Sequence, residues 1–461
     1  MEPTLLEILD SREQRAQLQQ KLLKTHQNPL ICFTMNIPGP VKLDRDISIG
    51  FWVGTQLLKR SLCGRKILFQ QLNYKSTGCE GYFVVEGPAT ALKRLAIDIE
   101  DTHPIGRLFD IDVLDTDGRK LTREELGFSR RKCMLCQQDA VICAGRRAHS
   151  LADLLEKVHY LLYLCATQWL PEFVAAQAWL ALNQEFLTTP KPGLVDRNNT
   201  GSHKDMGLRH FFASANALRP YFARFAKGGF LTRDADSKET FRRSRILGLE
   251  AEQAMYQATG GVNTHKGAIF TIGILCAAAG RLPPAQWTPE KLCKESAAMT
   301  AGVTTQDFAG ISVQNAKTAG ERIYTQYGIA GIRAEAEAGF PAVLNTGLPT
   351  LQEGLQKGLS LNDTGYATLL HLIAATDDTN LIHRSDRATQ LQVKDQIADL
   401  IAVTPYPALD MIEQLDREFI DKNLSPGGSA DLLAATYFLH FLTHQNQEIE
   451  KNCQDFEMTS N

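Results

Sequence analysis

The spacing of apolar residues changes character once along the chain. Up to about residue 150 two periods alternate. Leu30–Asn36, Lys66–Asn73, Gly81–Glu86 and Arg107–Leu114 are short runs rich in β-branched and aromatic residues, and they predict strands. Between them, Ser11–Lys24, Ile47–Lys59 and Pro88–Glu100 carry apolar residues three and four apart, which predicts helices. Ser11-x-x-Gln14 has the form of a capping box and places the start of the first helix there, with Leu18, Leu22 and Leu23 inward. Ile37-Pro-Gly-Pro40 and Ser76-Thr-Gly78 break the runs, and Asp115-Thr-Asp-Gly118 turns the last strand into a short hairpin. From Leu151 onward nearly every segment has the helical period, with glycine or proline loops between. The expected architecture is multidomain: an α+β sheet domain over 1–150, then an all-α helical domain over 151–461.

One stretch of the helical half stands out. The helical pattern Ile246–Ala258 stops at Gly260-Gly261, and the apolar run Ala268–Ala279 follows a polar loop. That loop offers Asn263, Thr264, His265 and Lys266, and the new helix opens at Gly267. Unpaired N–H groups at a helix N-terminus favour an anion, and lysine and histidine add donors that suit a phosphate. The spacing is not that of a Walker loop, so an ordinary helix–glycine–helix turn facing water accounts for it equally well.

Four more polar loops lie between apolar helices. Thr189–Asn199 presents Lys191, Asp196, Arg197 and Asn198, with His203 and Asp205 just beyond. Arg333, Glu335 and Glu337 precede Gly339-Phe-Pro341. Thr376–Asn380 holds Asp377, Asp378 and Asn380; adjacent aspartates cannot share a face, which predicts one metal ligand and one helper. Asn423–Asp431 contains Gly427, Gly428 and Ser429 ahead of a helix, a second candidate anion cradle. Each is a cap or turn on its own. Five such loops among buried helices are expected to build one shared site.

Composition narrows the classes. The chain has 461 residues and a net charge of −3, with a pI near 6.4. A general nucleic-acid binder would carry a basic surplus, so no nucleic acid is expected as a partner. Met1-Glu-Pro-Thr lacks the basic and apolar regions of a signal peptide, and the longest apolar run is too short for a bilayer. A cytoplasmic protein without membrane association is expected. A disulfide framework for the ten cysteines is not.

In the sheet half, Asp110 and Asp112 alternate along one predicted strand, so both carboxylates share a face while Ile111 and Val113 point to the core. A Mg²⁺ ion bridging substrate phosphates needs such a pair of hard oxygen ligands. His103, Gly106 and Arg107 lead into the strand. A solvent-facing strand edge explains such a pair more often, but the His103-Pro-Ile-Gly-Arg107 lead-in favours a functional pair here. Further on, Cys133-x2-Cys136-x6-Cys143-x5-His149 offers the donor set of a tetrahedral zinc site, although its second gap is not a standard zinc spacing. Arg130, Arg131, Lys132, Arg146 and Arg147 make the same segment basic, which suits a polyphosphate or simply a solvated face.

Asn36-Ile-Pro-Gly-Pro-Val-Lys42, Thr77-Gly-Cys-Glu80, His103–Val113 and Arg131-Lys-Cys-x-x-Cys136 resemble the apo-citrate lyase phosphoribosyl-dephospho-CoA transferase family over about residues 5–150. Cys79 stands where that family's motif leads one to expect proline. The resemblance implies a nucleotidyltransferase-like domain that moves a phosphoribosyl-dephospho-CoA group onto a serine of the citrate lyase acyl carrier subunit and releases pyrophosphate. It places Lys42, Arg131 and Lys132 with the nucleotide, and Asp110, Asp112, Arg107 and His103 with catalysis.

Pro190–Asn199, Gly260–Gly267, Asp377–Asn380 and Asn423–Asp431 resemble the triphosphoribosyl-dephospho-CoA synthase family over about residues 160–442, with alanine at 334 where glycine is expected. That resemblance implies that ATP loses adenine while its C1′ is captured by the ribose 2′-hydroxyl of 3′-dephospho-CoA. Such a capture passes through an oxocarbenium-like state, which calls for a carboxylate and a general base. Asp196, Asp205, Asp377 and Asp378 are expected in catalysis with His203 and His265; which aspartate is base and which is ligand stays open, with Mg²⁺ assigned to Asp196, Asp205 and Asp378. Lys191, Arg197, Asn198, Asn263, Thr264, Lys266, Gly267, Arg333, Asn380, Gly427, Gly428 and Ser429 are expected around the nucleotides. The combined expectation is a fusion that makes the prosthetic-group precursor and installs it. A helical Mg²⁺-dependent N-glycoside or ADP-ribosyl hydrolase, a non-catalytic carrier-protein assembly factor, and a role in malonate decarboxylase maturation stay open as other readings of these residues.

Overall fold

The computed structural model describes residues 3–444. They form two compact units: residues up to Leu170 with Pro283–Ala285, and Pro171–Leu282 with the residues from Gln286 onward.

The first unit runs α1 (Leu5–His26), β1 (Leu30–Met35), α2 (Arg45–Ser61), β2 (Ile67–Lys75), β3 (Gly78–Val85), α3 (Ala89–Thr102), β4 (Phe109–Leu114), α4 (Ala140–Arg146) and α5 (Leu151–Leu164). The strands make one antiparallel sheet in the order β2-β3-β1-β4. Alternation along the strands sorts its two faces. Leu30, Cys32, Tyr82, Val84 and Leu114 pack against Leu22 and Leu23 of α1. On the opposite face α2 crosses so closely that a side chain at Gly54 would run into Phe33 and Phe109. Helix α3 lies along the edge strand β4, where Glu100 accepts from the Ile111 amide at 2.8 Å and Lys93 donates to the Ile111 carbonyl at 3.0 Å. The outward ladder groups of Ile111 at that edge are therefore satisfied.

The expected helix start at Ser11 is displaced. Thr4 and Glu7 form a complete capping box, and α1 begins at Leu5. Thr4-x-x-Glu7 has the same spacing as Ser11-x-x-Gln14, and its glutamate returns a bond to the Thr4 amide at 2.7 Å. Ser11 instead sits inside the helix, buried against Thr77 and Glu80. The Asp115–Gly118 turn closes a hairpin of a single bridge, Leu114 to Lys120.

The second unit is helical throughout its described residues. It comprises α6 (Leu170–Leu187), α7 (Leu208–Leu231), α8 (Ser237–Ala258), α9 (Lys266–Arg281), α10 (Pro289–Thr300), α11 (Val303–Asp307), α12 (Ala319–Tyr327) and α13 (Ile332–Glu337). After these come α14 (Leu348–Gln356), α15 (Leu361–Ala375), α16 (Thr379–Arg384), α17 (Arg387–Val403), α18 (Leu409–Asp421) and α19 (Gly427–Thr443). The hub is α9, buried from Ile272 to Arg281, with α7, α8, α10 and α19 around it. Contact between α7 and α9 is intimate: Gly229 and Gly280 each face a carbonyl of the other helix, where any side chain would collide. Ala334 lies in α13 and has no positive φ; Gly331, Gly339 and Phe340 nearby do, so alanine at 334 introduces no backbone strain. Among the described residues no helix is long and apolar enough to cross a membrane.

Candidate active sites

In the first unit the residues of the α1-facing side of the sheet change from apolar to polar along the strands. Register places Asn73, Glu80, Thr34 and Asp110 side by side across all four strands. Glu80 is buried and held by Arg15 at 2.8 Å and by the Tyr82 hydroxyl at 3.0 Å, with Lys75 at 3.6 Å. Beside this row opens a cavity of about 210 Å³ whose wall includes Arg12, Arg15, Thr34, Lys42 and Thr77. Two separate stretches picked out in the sequence, Asn36–Lys42 and Thr77–Glu80, thus meet at one cavity. Burial holds the Lys42 ammonium below its usual range. Arg12 and Arg15 were not singled out from the sequence: the local signals of their helix, a capping pattern and apolar spacing, mark no site, and they reach the cavity by tertiary packing.

Strand β4 presents Asp110 and Asp112 on one face, with Phe109, Ile111 and Val113 buried on the other. Asp110 is half exposed and lies 3.4 Å from Arg131. Asp112 pairs with Lys120 at 2.6 Å. Arg131 also donates to the Phe109 carbonyl, and Arg107 donates to that of Lys132. Nε and Nη1 of Arg107 are buried without a partner, as is Nε of Arg131. Donors in that state near paired carboxylates suit an anionic ligand. His103 ends α3 and its ring packs on Trp169 with centroids 5.1 Å apart. Its Nδ1 accepts from the Ile105 amide at 3.4 Å, so it shapes the turn into β4.

The four zinc candidates converge. One ligand atom each from Cys133, Cys136, Cys143 and His149 lies within 4.8 Å of the others. Burial works to raise the Cys133 thiol, but amide donors from Leu135 and Cys136 and neighbouring thiols outweigh it and bring it to about 7.

In the second unit four of the five singled-out loops interlock. Asp196 orders the Thr189–Asn199 loop: it accepts from the Lys191 amide at 2.9 Å, and from those of Asn198 and Asn199 at 2.7 and 3.1 Å. Gly193, at φ 68°, has no room for a side chain against the Leu424 carbonyl, which ties this loop to Asn423–Asp431. Asp378 takes the Asn380 and Leu381 amides on one oxygen, and the Ser429 amide and hydroxyl on the other at 2.7 and 2.9 Å. It therefore fastens the start of α16 to the start of α19. A carboxylate has about four acceptor positions, so Asp378 is filled and Asp196 has one left. Neither carboxylate is arranged as an open Mg²⁺ ligand. Asp205 is exposed. Asp377 points away from Asp378 and pairs with Arg387 at 2.9 Å and Lys394 at 3.1 Å; burial opposes its ionisation and these cations outweigh it.

The Thr259–Gly267 loop joins the cluster through Asp431, whose carboxylate fills the space where a Gly267 side chain would sit. Lys191 is fully buried and paired with Glu185, so it neutralises a carboxylate instead of facing solvent. Burial raises Glu185 and Asp431 above the usual carboxyl range, and Asp431 is raised further by Glu185 and Asp378. Lys266 pairs with Glu252 at 2.8 Å at the exposed rim. Thr264 Oγ1 and His265 Nε2 are buried with no partner. Arg197 reaches Thr189 and Asn362, while Asn198 lies in the Asp196 turn. Asn380 lies against Gly427, and Asp378 against Gly428. Arg333 is elsewhere, paired with Asp307 at 2.8 Å and stacked over Phe308; Gly331, two residues earlier, packs on Thr379 of the cluster. A cavity of about 410 Å³ between α16, α17 and α18 includes Leu424 but none of these charged loop residues. Glu185 was missed as a site residue because it looks like part of an apolar helix, and Asp431 because it only ends a loop read for its glycines and serine.

Two histidines of the cluster are held neutral. His203 accepts from Arg384 at Nδ1 (2.9 Å), which leaves Nε2–H to donate to Ser425 at 3.0 Å. Burial, then Arg384, pushes it down to about 4. Burial, then Lys191, pushes His265 down to about 3, with Ser214 at 2.7 Å from its Nδ1. A histidine with a depressed folded pKa loses stability as pH falls, because the unfolded chain takes up a proton that the fold refuses. For His203 the window is about 6.5 down to about 4. Asp378, Asp416 and Asp431, raised by burial, act in the opposite direction. The prediction is therefore differential. The stability advantage of wild type over His203→Gln, measured by urea unfolding, is expected to shrink as pH drops from 7 to 5.

Comparison with known proteins assigns both units. The family described as CitX, apo-citrate lyase phosphoribosyl-dephospho-CoA transferase, matches residues 3–163. The family described as CitG, ATP:dephospho-CoA triphosphoribosyl transferase, matches residues 171–450. Two transferase families in series make the chain a bifunctional transferase. The protein CitXG of Haemophilus influenzae is 37% identical over 457 residues, covering 94% of this chain and 95% of its own. Protein CitXG of Leuconostoc mesenteroides subsp. cremoris is 35% identical over 453 residues, 94% of this chain and 96% of its own. The chain belongs to this CitXG family, which serves synthesis of the citrate lyase prosthetic group.

Proposed function

We propose that the second unit makes 2′-(5″-triphosphoribosyl)-3′-dephospho-CoA and that the first attaches it to the citrate lyase acyl carrier subunit. In the first reaction the 2′-hydroxyl oxygen of dephospho-CoA bonds to C1′ of the ATP ribose. The C1′–N bond breaks, and adenine leaves with the bonding pair. His265 Nε2, neutral and buried, takes the hydroxyl proton, and Ser214 fixes the ring through Nδ1. The carboxyls Glu185 and Asp431 face the developing positive charge, with Lys191 setting the ionisation of Glu185. Asp196 and Asp378 act as positioning residues that hold the loops together. The observation that carries this reading is the pair of buried, unpartnered atoms Thr264 Oγ1 and His265 Nε2 at the junction of the interlocked loops.

In the second reaction the carrier serine oxygen bonds to the α-phosphorus, the bond from that phosphorus to the bridging oxygen breaks, pyrophosphate leaves with that oxygen and its electron pair, and the serine proton passes to solvent. Asp110 and Asp112 would hold Mg²⁺, which supplies charge neutralisation to the departing pyrophosphate. Arg107 and Arg131 bind phosphate oxygens through their unpartnered nitrogens, and the Arg12–Arg15–Lys42 cavity receives the remaining anionic part of the substrate. Chromatographic detection of adenine tests the first step. Release that requires both ATP and 3′-dephospho-CoA is expected; release from ATP alone at the same rate would make the second unit a hydrolase.

A further inference from the structure

The stretch between Arg123 and Val158 has a single buried residue, Cys143. Its large apolar side chains Leu135, Val141 and Ile142 are exposed, at 36%, 71% and 41%. A hydrophobic core therefore does not hold this segment, yet it has a defined path. Cys133 closes a turn onto the Gln138 carbonyl at 2.7 Å, Lys132 bridges Asp139, and α4 leads through Arg147, in left-handed conformation at φ 47°, to His149. Polypeptide with so little buried apolar surface needs a cross-link or a metal.

The side chains that converge inside it are three cysteines and a histidine. The Cys136 and Cys143 sulfurs are 3.5 Å apart, and all four ligand atoms lie within 4.8 Å of one another. A tetrahedral ion with sulfur ligands at about 2.3 Å places its ligand atoms about 3.7 Å from each other, so the cluster needs only small adjustment to close on one ion. The Leu135 amide points to Cys133 Sγ at 3.5 Å, as expected for the first sulfur of a C-x-x-C turn that carries negative charge. His149 Nε2 is buried and has no hydrogen-bond partner. Three soft thiolates and an imidazole select zinc over magnesium or calcium.

We infer that Cys133, Cys136, Cys143 and His149 bind one structural zinc ion, which holds the basic segment against strand β4. That segment places Arg131 on the Phe109 carbonyl and beside Asp110, and it receives Arg107 on the Lys132 carbonyl. The ion makes no contact with substrate in this account; it positions the two arginines. This consequence rests on the function proposed above, whereas the metal site does not.

The test is metal analysis of the full chain, purified under reducing conditions and reconstituted with zinc. One equivalent of zinc is expected, falling to near zero in Cys136→Ser and Cys143→Ser and unchanged in Cys63→Ser, which alters an exposed cysteine outside the cluster. Substituting cobalt into wild type is expected to give the visible absorption of a tetrahedral thiolate site, which does not depend on any variant folding. Less than a tenth of an equivalent in wild type, or a Cys136–Cys143 disulfide found by mass spectrometry after purification in reductant, would overturn the site. If zinc binds, its removal is expected to lower carrier modification with adenine release unchanged. Equal loss of both would overturn the positioning role and leave the site standing.

Discussion

Asp110→Asn is expected to slow transfer to the carrier serine by about 10²–10³-fold, the loss typical when one group acting on transition-state charge is removed. Adenine release should stay at the wild-type rate. The substitution keeps the shape of the side chain and changes only its charge. The strand has little reason to move: Phe109, Ile111 and Val113 are buried on the other face, and the register Thr34–Asp110 is fixed by backbone bonds to β1. The half-exposed carboxylate has one modest ion pair, to Arg131 at 3.4 Å, which contributes less than about 1 kcal/mol to stability. A large fall in carrier transfer thus reports chemistry. Asp112→Asn tests the second ligand and also removes the bond from Lys120 at 2.6 Å. Rates of both half-reactions, with urea unfolding of each variant, separate the outcomes. Unchanged carrier transfer in Asp110→Asn would make the aspartate pair an ordinary solvent-facing edge.

Lys191→Met is expected to destabilise the second unit by roughly 3–5 kcal/mol, because it strands the buried Glu185 carboxylate without its counter-charge. Replacing both members, as Lys191→Met with Glu185→Leu, should recover most of that loss, since a buried ion pair is often no more stable than apolar groups of the same size. Activity should follow a different course: if Glu185 and Asp431 face the developing cation, the double variant folds but does not release adenine. Denaturant unfolding monitored by circular dichroism gives the stability arm. A double variant that recovers both stability and adenine release would reduce the pair to a packing feature and remove Glu185 from the mechanism.

Much of this arrangement could be read from the chain because it depends on local spacing. Alternation predicted the shared face of Asp110 and Asp112, and the structure has it. The five polar loops were expected to build one site; four interlock, and Arg333 lies apart, paired with Asp307, while Gly331 beside it packs on Thr379. Cys133, Cys136, Cys143 and His149 come together even though their second gap is unusual, because α4 and the left-handed Arg147 fold the chain back.

What could not be read depends on contacts between distant residues. Ser11 and Thr4 offer equivalent capping patterns; the fold uses Thr4, and the Ser11 hydroxyl is turned to Glu80, a strand residue distant in sequence. Whether an aspartate holds a loop or faces a ligand is likewise invisible in sequence. Asp378 has its acceptor positions filled by the amides of Asn380, Leu381 and Ser429 and by the Ser429 hydroxyl, the last two on another helix. The spacing that marks a metal ligand marks such a clasp equally well.

The account stands on two chemical steps carried by one chain, and intact-mass spectrometry of the apo acyl carrier subunit tests that most directly. Incubated with this protein, ATP, Mg²⁺ and 3′-dephospho-CoA, the carrier is predicted to gain the mass of one phosphoribosyl-dephospho-CoA group on a serine, with an equal amount of adenine appearing. Omission of either nucleotide should abolish both. A carrier that stays at its apo mass while adenine accumulates would contradict the role given to Asp110, Asp112 and the arginines around them. A carrier and an ATP pool that both remain unchanged would contradict the two-step account as a whole.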